Sequence, residues 1–407
     1  MTHRHLLYSA TLAISVSCAP APRPPASTAL QIQPLDLPAA VGSVSPQLTV
    51  TGDRAVLSWI DNEEVQAGTR STLKFSERTA SGWSSARIVS SGDDWFVNAA
   101  DVPSVVRLDD GTLAAHWLRT TDAENEGYDL LLSFSHDDGR TWTSPVSPHH
   151  DGTKTQHGFA SLFQMPGSGL GLVWLDGRAA KAENAGMSVR AAAFDRKGIQ
   201  ISETLIDDRV CDCCPTAVAI TADGPVTVYR DRSVTEIRDI AVSRLVGGQW
   251  TASKTVHDDG WKITACPVNG PAVSARGRQV AVAWMTAKGE DGLAFAAFST
   301  DAGASFGAPI RLDDQGTLGR VGIALLDDGS AIASWIEFAD RRAQLRARRI
   351  VPSGGRGTAQ AVGLEGDRTS GYPRMARRGP EILFAWTEAH DGRPRMRTAV
   401  AALGAKP

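Results

Sequence analysis

The chain has 407 residues, 42% hydrophobic and 21% charged, with 39 glycines and 21 prolines, a composition that fits a folded globular protein and excludes collagen-like and disordered classes. Forty-two basic against 45 acidic residues leave a formal net charge of −3 with no block of like charge, so nothing in the electrostatics points to a nucleic-acid partner. The length allows two or three ordinary domains or one repeating architecture, and internal repeats decide between them.

At the N-terminus, His3, Arg4 and His5 precede an apolar stretch from Leu6 to Val16. The stretch is too short to span a bilayer and reads as a signal peptide over residues 1–17. The segment Ile14-Ser15-Val16-Ser17-Cys18 resembles a bacterial lipobox, which makes Cys18 the expected lipidated first residue of a protein anchored in the bacterial cell envelope. Plain secretion is the alternative. Residues 18–28, rich in alanine and proline, suit a tether. The remainder, 29–407, is read as one domain.

Within that domain seven short apolar runs each close on an aromatic residue, at Trp59, Trp117, Trp174, Tyr229, Trp284, Trp335 and Trp386, spaced 51 to 58 residues apart. Six of the eleven tryptophans fall on this grid, so the period marks an architecture rather than a chance cluster. Before most of these aromatics lies an apolar strand and a tight turn, as in the Asp-Gly pairs at Asp110, Asp223 and Asp328, which predicts hairpins. A polar loop and two further strands follow each aromatic, giving the four-stranded unit of a propeller blade. The seventh unit, from Tyr372 to about Leu403, has only three strands. The unpartnered run Ala29 to Leu37 is the expected fourth, and its addition would remove two open sheet edges. The predicted fold is therefore all-β, a seven-bladed β-propeller closed by its N-terminal strand. A six-bladed ring with one degenerate unit is the alternative.

Two turns carry a family pattern. Ser135, Asp137, Gly139 and Trp142 spell S-x-D-x-G-x-x-W, and Ser299, Asp301, Gly303 and Phe306 repeat it with phenylalanine in the aromatic place. These segments resemble the Asp boxes (BNR repeats) of sialidase-like propellers, where they act as folding devices: the aspartate accepts turn N–H groups and glycine permits positive φ. The segments at Arg209 to Cys214, Arg230 to Ile240 and Cys266 to Ala272 resemble those of a group of exported bacterial members of this superfamily. The resemblance implies a glycan-type or anionic ligand and, if the chain is an enzyme, a glycoside hydrolase of exo-sialidase type. The Phe/Tyr-Arg-Ile-Pro segment of the sialidases, whose arginine grips the substrate carboxylate, has no counterpart here. A non-catalytic envelope scaffold that docks a protein is the competing reading.

In a propeller, the loops leading into the inner strands and those leaving the second strands share one face around the axis. On that face Asp101 is the candidate general acid and Tyr372 the candidate nucleophile, with Asp231 a further acid or base. The loop from Arg230 to Asp239 holds Arg230, Arg232 and Arg238, whose forked donors suit a carboxylate or sulfate; ion pairs between blades are the plainer reading. Arg320 and Arg374 would complete an anion clamp, and Asn269 is a further ligand candidate. Cys211, Cys213, Cys214 and Cys266 lie in adjacent inlet loops. An even set in an exported protein favours two disulfides, with three pairings open, among them Cys213–Cys214 with Cys211–Cys266; a soft-metal site for copper or zinc and redox chemistry are the other readings. His149, His150, His157 and His257 offer a second metal reading. His116, Trp95 and Trp261 read as packing residues.

Overall fold

The computed structural model describes residues 30–403 apart from residues 67 and 168 and the segments 181–185, 340–341 and 367–370. The expected signal peptide, Cys18 and the tether lie outside the described residues.

The described residues form seven antiparallel sheets, and the ring is a seven-bladed β-propeller. The inner strands are Val44–Thr51, Ser104–Arg107, His157–Gln164, Ala217–Thr221, Ala272–Arg276, Thr317–Leu325 and Arg374–Arg378. Each blade runs outward from its inner strand in sequence order, except the seventh. There the outer place is filled by Gln31–Leu35, which pairs antiparallel with Arg393–Ala402, Gln31 opposite Ala402 and Leu35 opposite Thr398. Start and end of the described chain thus lie in one sheet, and each removes the other's open edge. In blade two the fourth strand is reduced to a single bridge between Leu132 and Val146.

The periodic aromatics pack between neighbouring blades. Trp174 sits among Leu130, Leu132 and Phe134 of the preceding blade, and Trp335 packs in a cluster with Ala281, Ala283 and Ala296. Trp59, Trp174, Trp284 and Trp335 are essentially fully buried, which requires a partner for each indole N–H. In four blades that partner is a carboxylate two residues on: Trp59 donates to Asp61, Trp174 to Asp176, Trp335 to Glu337 and Trp386 to Glu388, at 2.8 to 3.4 Å. Trp284 instead donates to Asp259, and Tyr229 donates its hydroxyl to Asp207.

Both Asp boxes close as turns. Asp137 accepts the N–H groups of Arg140 and Thr141 and the Thr141 hydroxyl, and the Gly139 N–H donates to Ser135 Oγ at 2.8 Å. These donors hold the Asp137 carboxyl down at about 2. Trp142 meets Phe75 edge-on. The second box repeats the scheme, with Asp301 accepting from Ser305 and Gly303 donating to Ser299, while Phe306 packs against the blade core.

Candidate functional site

The inner strands surround an axial cavity of about 800 Å³, lined by segments of all seven. One end is framed by hairpin turns such as Gly52, Ala222 and Gly224; the other by Asp101, Gly270, Tyr372 and Arg374. At this second end the regular pleat breaks in three blades. Pairing registers shift between Val44 and Gln47, between Val173 and Leu175 opposite the third inner strand, and between Gly319 and Gly322. Ser45, Phe159 and Arg320 take positive φ of 57°, 51° and 54° at these places, conformations that non-glycine residues adopt only under constraint. Bulges of this kind redirect the backbone where a strand meets a site.

Asp101 is carried by a turn in which Asn98 Oδ1 accepts the N–H groups of Ala100 and Asp101 at 2.7 Å. Its carboxyl is buried and accepts the Phe159 N–H at 2.7 Å and the Tyr128 hydroxyl at 3.1 Å. Burial outweighs those donors and the charge of Arg374, and pushes the carboxyl up to about 7. The close approach requires Gly158, because a Cβ there would lie 1.9 Å from Asp101 Oδ2.

Tyr372 and Arg374 lie beside Asp101 in the cavity wall. Both Arg374 and Arg320 rest against the Tyr372 ring, at 5.3 and 5.4 Å from its centroid. Arg320 lies outside the cavity lining, and its guanidinium donates to the Gly371 carbonyl. Burial lowers Arg374 to about 10, and its Nε has no hydrogen-bond partner among the described residues. Tyr372 donates its hydroxyl to the Val268 carbonyl and accepts the Gly270 N–H, and burial raises its pKa.

The other arginines are engaged elsewhere. Arg230 is buried and donates to three backbone carbonyls, of Asn269, Arg238 and Met285, at 2.6 to 2.9 Å, fastening blade four to blade five. Arg232 pairs with Glu236 and Asp212, and Arg238 with Glu236 and the sulfur of Cys211. Asn269 accepts the Arg320 N–H at 2.8 Å and donates to the carbonyls of Pro267 and Leu318. Asp231 has its carboxyl pushed up to about 6, chiefly by burial. None of these residues lines the axial cavity.

The four cysteines do converge, with a pairing different from the vicinal one weighed above. Cys213 is disulfide-bonded to Cys266 with Cα atoms 6.1 Å apart, while Cys211 and Cys214 are buried thiols with sulfurs 3.3 Å apart. The inlet loops of blades four and five lie side by side, as Pro215 against Gly270 shows, and this brings Cys213 to Cys266. The Cys214 thiol, donating to Cys211, lowers Cys211 to about 6 with help from the Cys213 N–H and Arg238, whereas burial raises Cys214.

His149 and His157 stack with ring centroids 3.7 Å apart. Around them, Asp129, His149 and His157, and Asp151, His157 and Asp176, form two sets of donor atoms close enough for a metal ion. Arg178 already pairs with Asp176 at 2.7 Å and lies 3.5 Å from Asp151, so a cation is present where an ion would bind. Cys211, Cys213 and Cys214 form the third such set. His257 pairs with Asp259, and His116, buried beside Ser104, is lowered to about 3 by burial. Trp95 stacks on Trp117, and Trp261 lies under the Arg230 guanidinium.

Asp61, Asp176, Glu337 and Glu388 are each committed to the indole two residues before them, a role that the recurring Trp-x-Asp/Glu spacing signals in the sequence. Tyr128 and Gly158 carried no local signal, since their role depends on contact with a loop from another part of the chain.

No family model and no curated protein matches the chain. Solved structures share its fold at low identity. The polysaccharide lyase Uly1 is 10% identical over 91% of this chain and 92% of its own, with a TM-score of 0.54. A mutant NanB sialidase from Streptococcus pneumoniae is 8% identical over 91% and 94%, at 0.47. The fucose-specific lectin from Aleuria aurantia is 11% identical over 79% and 97%, at 0.44.

Proposed function

We propose that this chain is an exported, lipid-anchored propeller that binds a carboxylated saccharide at the Asp101–Arg374 end of its axial cavity. The observation that carries the reading is Arg374: a guanidinium in the cavity wall, held below its ordinary pKa by burial, with an Nε that no described residue satisfies. A buried donor of this kind is costly unless something accepts from it, and a carboxylate presents two oxygens to a guanidinium fork. A cavity of about 800 Å³ matches a sugar or short oligosaccharide. Beside Arg374, Asp101 is neutral below about pH 7 and then leaves the arginine's charge uncompensated. Glycan-acting and glycan-binding proteins among the structural neighbours agree with this ligand class without specifying it.

Two features favour binding over hydrolysis. The Tyr372 hydroxyl is committed to the Val268 carbonyl and its pKa is raised, which makes it a poor nucleophile. Both Asp101 oxygens already accept hydrogen bonds.

A glycan array with uronate-, sialate- and neutral-sugar members, probed with the full chain and with Arg374→Met, tests the reading. Carboxylated members should bind, and the variant should lose at least tenfold in affinity with its melting temperature retained. Absence of carboxylated hits, or hits indifferent to Arg374, would overturn it; a stoichiometric envelope protein co-purifying with such an inert chain would favour the scaffold.

A further inference from the structure

Apart from the axial cavity, the cysteine cluster combines three features. The Cys213–Cys266 disulfide stands at the surface, with Cys266 exposed. Directly behind it is a buried pair of thiols, Cys211 and Cys214, in Cys-x-x-Cys spacing and in sulfur contact at 3.3 Å. The Cys211 sulfur lies 4.0 Å from that of Cys213 and receives a guanidinium N–H from Arg238 at 3.3 Å. A thiol is thus held in near contact with a disulfide, beside a cation that stabilises the thiolate, which is the attacking species in exchange. The buried pair alone has no route to a partner outside the protein, because both sulfurs are enclosed.

We propose that the four cysteines form a thiol–disulfide relay through which the buried Cys211/Cys214 pair delivers two electrons to an external disulfide, of a protein or of a small thiol compound. In the first step the Cys211 thiolate attacks the Cys213 sulfur; a Cys211–Cys213 bond forms, the Cys213–Cys266 bond breaks, and Cys266 leaves as a thiolate that takes a proton from solvent. In the second, the Cys214 sulfur attacks Cys211 and releases Cys213, whose sulfur takes the proton that Cys214 gives up. The oxidised pair is then Cys211–Cys214, inside, and the reduced pair is Cys213 and Cys266, outside. These two thiols reduce the external disulfide by the same chemistry and re-form Cys213–Cys266. In sum, two buried thiols become one disulfide and one external disulfide becomes two thiols, with no other oxidant or reductant. The inference is independent of the saccharide reading, because none of the four cysteines lines the axial cavity.

The test uses the full chain carrying Cys18→Ser throughout, so that the four cluster cysteines are the only thiols, completely reduced, then brought to one disulfide per chain with one equivalent of diamide. It is mixed undenatured with 5,5′-dithiobis(2-nitrobenzoate). The relay predicts release of two thionitrobenzoate per chain and, by peptide mapping, both Cys213–Cys266 and Cys211–Cys214 in the product. The double variant Cys213→Ser/Cys266→Ser, reduced but not treated with diamide, keeps the buried dithiol and removes the conduit, and should release at least tenfold more slowly. The variant-free mapping remains informative if that double variant fails to fold. The proposal is overturned if the wild-type chain releases thionitrobenzoate only after denaturation, or if the double variant reacts at the wild-type rate. It is equally overturned if the protein as isolated holds a stoichiometric metal ion with all four cysteines alkylatable once the metal is removed.

Discussion

Asp101 illustrates how one buried group couples the site to pH. Its folded value near 7 lies above the ordinary 3.8, so folding favours the protonated form. That stabilisation is complete below about pH 4 and is lost as pH rises through 7, a change on the order of 4 kcal/mol. Asp101→Asn cannot ionise and still offers an oxygen to the Phe159 N–H. We expect it to melt above the wild type at pH 8.5 and level with it at pH 4; melting curves that shift in parallel for the two proteins would contradict this. Arg230 and Arg232 stand two residues apart in sequence yet differ in kind. Removing the Arg230 guanidinium orphans three carbonyls at the seam between blades four and five, so Arg230→Met should cost about 3 kcal/mol or more in urea unfolding. Arg232 sits in a partly exposed ion-pair network, and Arg232→Ala should cost less than about 1 kcal/mol. Equal losses would show that the loop does not divide in this way.

At the scale of the strand, the N-terminal segment Gln31–Leu35 has little burial of its own. Its contribution is to cover the edge of Arg393–Ala402 and to bring Leu35 and Leu37 against the core. Deleting residues 29–37 should therefore leave an open edge on blade seven and drive the chain into aggregates or strand-exchanged oligomers larger than the wild-type particle, read by light scattering. A deletion that keeps the wild-type particle size with an unchanged melting point would contradict that role. This strand, the Asp-box turns and the tryptophan grid were all legible in the sequence because each is encoded locally, by alternation, turn chemistry or a fixed spacing. The fourth strand of blade two was not, since residues 143–146 retain only one bridge and have no alternating run to announce it.

Across the whole molecule, the ring is what brings Asp101 from the inlet of blade two and Tyr372 and Arg374 from blade seven to one cavity, although some 270 residues separate them in sequence. The repeat made that convergence foreseeable in outline: inlet loops had to meet at the axis. Which arginines reach the cavity was not foreseeable, because Arg230, Arg232 and Arg238 have the same chemistry as Arg374 and differ only in the carbonyls and carboxylates that surround them. The proposed ligand site requires Arg374 and Asp101 to act as one anion site, and calorimetric titration of a carboxylated saccharide from the array at pH 8 and pH 6 tests that pairing most directly. Affinity should rise several-fold for the wild type as pH falls and Asp101 takes up its proton, and should be tight and level for Asp101→Asn; an affinity that is the same at both pH values in the wild type would contradict it.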